Sequence, residues 1–239
     1  MPDASVARRL AAIGGALYLL IIVVGFAGEA LIRGSIVAEG NASLTGTNLR
    51  AMDTLWRLGV AGEGVLLLAT VGLAVILYVL LSPIDRRLAQ LAILLNVCVV
   101  AIEGVAAVSL ATALLPMGTT GYLDAFTPAQ RDVMATLAIR SHSIGFAFAL
   151  IFFGAECLVL GVLITRSGYL PRILGRLMHL AGACYLVNSF SLILSPRFAS
   201  LVFPAILLPA LVAELSLALW LLLKGVRASR WDEWRSVRG

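Results

Sequence analysis

Six apolar runs, Leu10–Leu31, Leu55–Leu81, Leu88–Leu115, Ser141–Thr165, Ile173–Leu194 and Phe198–Leu223, take up most of the chain. Each is long enough for a helix to cross a hydrocarbon core, which needs about 20 mostly apolar residues. The polar stretches between them are too short to form a soluble domain. The pattern therefore predicts an all-α, polytopic membrane protein with six transmembrane helices in one bundle. Residues 1–239 form a single transmembrane domain on this reading, and 225–239 form a basic interfacial tail in which Trp231 and Trp234 suit the headgroup layer. Arg8 and Arg9 before the first run resemble the start of a signal peptide. The apolar stretch from Leu10 to Gly28 is longer than a usual signal core, so an uncleaved first helix is expected.

Local signals divide the chain further. Residues 33–47 are rich in Gly, Ser, Thr and Asn and read as an irregular loop, and the second helix starts before the membrane, where Asp53 and Arg57 are spaced to pair. Ser82-Pro83-Ile84-Asp85 forms a tight turn. Thr127-Pro128-Ala129-Gln130 is a helix start with a capping box. A helix from there to Thr165 would run about 57 Å, nearly twice a hydrocarbon core, so it must extend outside, tilt or kink, and Gly145 is the expected break. Pro204 and Pro209 each remove a backbone hydrogen bond and are expected to interrupt the sixth run.

Composition supports the membrane reading: 61% of residues are hydrophobic, 13% are charged, and the mean hydropathy is +1.01. The net charge of +5 does not point to nucleic acid, because of where the charges lie. With the N-terminus inside, cytoplasmic segments would hold 12 of the 18 basic residues: Arg8, Arg9, Arg86, Arg87, Arg166, Arg172, Arg176, Lys224, Arg227, Arg230, Arg235 and Arg238. That bias predicts cytoplasmic N- and C-termini. Cys98, Cys157 and Cys184 lie inside runs, without CxxC spacing, and read as packing residues. The Asn41-Ala42-Ser43 sequon reads as coincidence.

The candidate chemistry is acidic. Glu29, Glu63, Glu103, Glu156 and Glu214 fall within the apolar runs, at most one per run. An ionised carboxylate at mid-membrane costs about 2.5–3.5 kcal/mol, so each must find a partner, an interior or a proton. Counting from the run ends puts Glu29, Glu63, Arg57, Arg140 and His142 toward the outer face and Glu103 near the middle. Asn96, Glu156 and His179 lie toward the inner face, with Glu214 nearer the middle. The outer set predicts an interior network in which Arg57 and Arg140 act as charge partners, with Glu29, Glu63 and Arg140 turned inward beside His142. The inner acids have no arginine and are expected to carry protons.

Seven residues are thus ligand or proton candidates: Glu29, Glu63, Glu103, His142, Glu156, His179 and Glu214. Three readings follow. The first, taken as the working hypothesis, is an acidic cavity that binds or passes a small solute or protons. The second is a purely structural polar core, as in a scaffold or an accessory subunit of a membrane complex. The third is an intramembrane enzyme. No catalytic residue, metal ligand set or cofactor is assigned, because the two histidines lie on different helices and adjacent residues of Ser141-His142-Ser143 point apart. The expected partners are the lipid bilayer, a small-molecule, lipid or proton ligand, and a membrane-protein partner or second copy of the chain, but no nucleic acid.

Three segments carry a family resemblance: SGYLPRILG from Ser167 to Gly175, LLPALVAELSLALWLLLKGV from Leu207 to Val226, and ALYLLIIVVGFAGEALIRGSIV from Ala16 to Val37. They resemble the domain-of-unknown-function 4386 family of bacterial multi-span membrane proteins over nearly the whole chain. The resemblance implies membership and a location in the bacterial cytoplasmic (inner) membrane rather than any chemistry. It also implies that Glu29, Arg33, Arg57, His142, Arg172 and Glu214 are pattern positions.

Overall fold

The computed structural model describes residues 2–238, leaving aside the side chains of Pro196, Val237 and Arg238; Gly239, the end of the expected interfacial tail, lies outside them. Among the described residues there is no strand, and six helices are long and apolar enough to cross a membrane. The protein is an all-α, multi-pass membrane protein. Its helices are α1 (Ala4–Ile36), α2 (Ala42–Ala51), α3 (Asp53–Leu81), α4 (Arg86–Thr112), α5 (Pro128–Ser167), α6 (Arg172–Leu194), α7 (Pro196–Val202), α8 (Leu208–Leu223) and α9 (Ala228–Arg238).

Local chemistry explains most of the helix ends. Asp3 Oδ1 accepts from the Val6 N–H at 2.9 Å and the Ser5 hydroxyl at 2.7 Å, which starts α1 and holds the Asp3 carboxyl below its ordinary range. Asp85 Oδ1 accepts from the Arg87 and Leu88 N–H groups and starts α4. The capping box forms at α5: the Gln130 N–H donates to Thr127 Oγ1 at 3.3 Å and the Thr127 N–H to Gln130 Oε1 at 2.8 Å.

Three expectations change. The stretch read as an irregular loop contains α2, because Asn41 Oδ1 caps it through the Leu44 N–H and Thr45 Oγ1 ties it to Ala38. The sequon asparagine is therefore a helix cap. Gly145 is no break: α5 runs unbroken for 40 residues, about 60 Å. Gly145 instead admits Ala106 of α4, whose Cβ would lie 2.8 Å from any β-carbon there. The sixth crossing helix is Ala205–Leu223 rather than 198–223, since Pro204 cannot continue α7 and the chain restarts through a 3₁₀ turn at Ala205–Leu207. Pro209 sits in the first turn of α8, where it costs no helix hydrogen bond.

Contacts divide the chain into two compact units, and α1, α3, α4 and α5 contribute to both. The first comprises Met1–Ile21, Ala69–Val100 and Ala147–Gly239. Here α5 and α6 meet along glycines. A β-carbon at Gly182 would lie 2.6 Å from the Gly154 carbonyl oxygen, and one at Gly175 2.7 Å from that of Gly161. Small residues let membrane helices approach closely enough for dispersion contacts to replace the missing hydrophobic drive.

In the same unit Tyr169 ties several segments together. Its hydroxyl donates to the Leu80 carbonyl at the end of α3, its own carbonyl accepts from the Arg227 N–H at 3.2 Å, and its ring meets Trp231 edge-on at 5.1 Å. Burial pushes its phenol above the ordinary value. Trp231 is fully buried and donates from Nε1 to the Pro2 carbonyl at 2.9 Å. The expected interfacial role of this tryptophan is thus replaced by packing within the protein, while Trp234 is half-buried.

The second unit comprises Ile22–Leu68 and Ala101–Phe146. Its core gathers Ile36, Leu49, Trp56, Leu110, Ala113, Ala135 and Ile139, and Trp56 Nε1 donates to the Leu110 carbonyl at 2.9 Å. Arg50 of α2 pairs at 2.7 Å with Asp132, a buried residue in the first turns of α5. A methyl group at Gly46 would overlap the Asp132 carboxylate, so glycine lets α2 lie against α5.

Candidate functional site

In the second unit the acids assemble around Arg33. Residues Ala27–Arg33 of α1 form a π-helical segment, in which the Gly34 N–H reaches the Glu29 carbonyl five residues back. Such segments are rare and recur at functional sites. Both Glu29 and Arg33 lie on it. Arg33 Nε donates to Glu29 Oε2 at 2.7 Å, and Arg33 Nη1 donates to Glu63 Oε1 of α3, also at 2.7 Å. The bridge passes beside Gly28, where a β-carbon would lie in ordinary contact, 3.7 Å, with both Arg33 Nη1 and Glu63 Oε1.

The bridge runs from an open end to a closed one. Side-chain exposure falls from 69% at Glu29 through 15% at Arg33 to 6% at Glu63. Glu103 of α4 is buried within electrostatic reach of Glu63 and Arg33 and makes no hydrogen bond among the described residues. His142 of α5 is buried within reach of Arg33, Glu63 and Glu29, and its ring stacks on Phe146 with centroids 6.1 Å apart. Two carboxylates thus share one guanidinium, and a third carboxyl group, Glu103, lies in the same field. Coulomb attraction at such depth is only weakly screened, so the surplus negative charge demands protons or another cation.

The expected charge partners are corrected. Arg57 is bound to Asp53, four residues earlier on its own helix, at 2.8 Å, and Arg140 lies on the exposed side of α5. The buried neighbours Ile139 and His142 define the opposite face of that helix, which is why Arg140 cannot turn inward. Glu29 is likewise exposed, whereas Glu63 and His142 are inside. Sequence reasoning missed Arg33 as a partner, although Glu29 and Arg33 have the i,i+4 spacing that allows pairing.

In the first unit the acids meet neutral donors. Both carboxylate oxygens of Glu156 accept from Asn96 Nδ2, at 3.1 and 3.2 Å. Glu214 of α8 accepts from the hydroxyls of Tyr185 and Tyr18. The Tyr185 ring packs on Phe153 at 5.2 Å. Glu156 and Glu214 are within electrostatic reach of one another, and buried Cys157 is near both. A cavity of about 10 Å³ adjoins Glu156 among Ala74, Leu77, Leu160 and Leu163, room for one water. One turn beyond Tyr185 the buried oxygens Asn188 Oδ1 and Ser189 Oγ have no hydrogen-bond partner among the described residues. His179 stands apart from these acids and lies against Gly161. Tyr18 and Tyr185 carried no sequence signal beyond being hydroxyl donors inside apolar runs.

Among the described residues no three His, Cys, Asp or Glu side chains converge as a metal ligand set. No solved structure matches the chain. An uncharacterised protein of the archaeon Archaeoglobus fulgidus is 27% identical over 170 residues, covering 71% of this chain and 85% of that protein. A model of the domain-of-unknown-function family DUF4386 matches residues 13–225, and the chain belongs to that family.

Proposed function

We propose that this membrane protein binds, and passes, protons or a small cationic solute through the acidic site around Arg33. The observation that carries the reading is the charge imbalance. Arg33 neutralises Glu29 and Glu63 in part, and among the described residues buried Glu103 has neither a hydrogen-bond donor nor a cation of its own. An interior acid left in that state marks an ion or proton path more often than simple packing. Glu29, at the exposed end, supplies an entry, and His142 lines the buried end within reach of Arg33 and Glu63. The arginine bias supports cytoplasmic termini and a cytoplasmic membrane, with the archaeal relative widening the range of hosts.

The test is flux in proteoliposomes. With a pH-sensitive dye inside, a pH step is applied alone and then with sodium, potassium, choline or spermidine outside. The full chain is expected to move protons, alone or with one of these cations, and Glu103→Gln to abolish the signal at unchanged thermal stability. Flux equal to that of empty liposomes under every condition, or unaltered by Glu103→Gln, refutes the proposal.

A second, structural reading suits Glu156 and Glu214. Their oxygens are matched to Asn96, Tyr18 and Tyr185, and the cavity beside Glu156 has room for no more than about one water. Polar bonds of this kind join membrane helices without transporting anything.

A further inference from the structure

An open groove of about 520 Å³ in the second unit is lined by Arg57, Val60 and Ala61 of α3, Ala111 at the end of α4, Leu114 and Leu115 just after it, and Gly118, Thr120 and Tyr122 of the following loop. Its size is within the range of small-molecule sites. Its walls are apolar, and its position is set by the first turns of one crossing helix and the last turns of the next. Such a groove opens where acyl chains give way to headgroups. Arg57 is the charged residue of the lining, and Asp53, one turn earlier on α3, lies beside the groove and is bonded to that arginine: Arg57 Nε donates to Asp53 Oδ2 at 2.8 Å. That bond leaves Arg57 Nη1 and Nη2, and Asp53 Oδ1, without hydrogen bonds among the described residues. Exposure of 64% and 43% keeps both side chains within reach of a headgroup.

We infer that this groove binds a zwitterionic aminophospholipid, with its phosphate on the Arg57 guanidinium, its primary ammonium on Asp53 and an acyl chain along Val60, Ala61, Ala111 and Leu114. Charge complementarity selects this occupant. A guanidinium offers two parallel N–H donors to a phosphate, and the free carboxylate oxygen beside it accepts from an ammonium. An anionic headgroup could also place its phosphate on Arg57, but it has no ammonium for Asp53 and leaves one net negative charge uncompensated at the pair. A trimethylated ammonium has no N–H to donate. The Arg57–Asp53 pair stays intact in the complex, so binding costs no existing bond, and the bound lipid covers apolar surface that the helices leave open.

The experiment uses the delipidated full chain in detergent, titrated separately with phosphatidylethanolamine, phosphatidylcholine and phosphatidylglycerol. Thermal unfolding and native mass spectrometry are the readouts. Phosphatidylethanolamine is expected to raise the melting temperature by about 3 °C at saturation and to persist as a one-lipid adduct, with clearly smaller effects from the other two. Arg57→Gln should abolish the selectivity, and Ala61→Trp, which fills the groove, should abolish the adduct. No gain from phosphatidylethanolamine, an equal gain from phosphatidylglycerol or phosphatidylcholine, or a gain kept in both variants overturns the inference.

Discussion

Replacing Arg33 with glutamine removes the one guanidinium that two carboxylates share, and the two arms of the bridge should respond unequally. The Glu63 arm joins side chains with 15% and 6% exposure at 2.7 Å. Removing one partner of a buried pair strands the other charge and typically costs about 3–5 kcal/mol. The Glu29 arm ends on a side chain that is 69% exposed, so screening leaves it worth about 0–1 kcal/mol. Arg33→Gln is therefore expected to destabilise by about 3 kcal/mol, which lowers the melting temperature of a chain this size by roughly 6–12 °C. Glu29→Gln should cost less than about 1 kcal/mol. The decisive protein is the double variant Arg33→Gln with Glu63→Gln, which removes the stranded charge and should recover at least half of the loss. Thermal unfolding of the parent protein, the single variants Arg33→Gln and Glu63→Gln, and the double variant in one detergent measures all four corners of the cycle. Equal effects of Arg33→Gln and Glu29→Gln, or no recovery in the double variant, would refute the bridge as the element that neutralises Glu63.

Trp231→Ala should cost about 3–5 kcal/mol from lost packing, and Trp231→Phe about 1 kcal/mol through the bond to the Pro2 carbonyl; a tail that leaves stability untouched would contradict its burial. Burial raises the Tyr169 phenol, so its neutral form supports the fold below the ordinary tyrosine value of about 10 and that support is lost as pH rises beyond it. Tyr169→Phe should accordingly give a shallower alkaline unfolding limb, read by thermal scans from about pH 8 to 11. Gly182→Leu should separate α5 from α6 and prevent accumulation of folded protein, while Gly64→Ala, where a β-carbon meets open space, should express normally. On a background without Cys98, Cys157 and Cys184, cysteines at positions 86 and 230 should react from the same side of the membrane.

The fold class was legible because membrane helices announce themselves by length and apolarity, a signal that survives without any tertiary information. The helix start at Thr127 was equally local, being written in side chains that bond their own backbone. Three features depended on contacts that the sequence does not encode nearby. α2 is held by packing of Leu49 against Ile36 and Trp56 as much as by its asparagine cap. Gly145 has the composition of a hinge and the use of a spacer, which only its neighbour Ala106 reveals. Trp231 has the amphipathic character of an interfacial anchor, yet its partners are Pro2 and Tyr169, both distant from it along the chain. At the candidate site the acids were evident from cost alone, whereas the choice of Arg33 over Arg57 and Arg140 rests on which helix face is buried.

The two sets of acids use different solutions to the same burial problem, and the difference bears on function. Glu156 and Glu214 are met by an amide and two phenols, groups that donate a hydrogen bond without bringing charge. Such donors fix geometry and suit a carboxyl group that stays put. Glu63 is met by a guanidinium that also holds the exposed Glu29, so any change in the charge of Glu29, Glu103 or His142 alters the field at Arg33. On the proposed reading, a cation entering at Glu29 would compete with Arg33 for that carboxylate and free a guanidinium nitrogen to act deeper in the site. The coupling is reciprocal, because a proton on Glu63 or Glu103 weakens the hold on Arg33 and strengthens its bond to Glu29. A purely structural bridge has no need for an exposed end or for a third carboxyl group without a donor. Those two features, rather than the number of buried acids, make the Arg33 site the one that exchanges charge with its surroundings on the proposed reading.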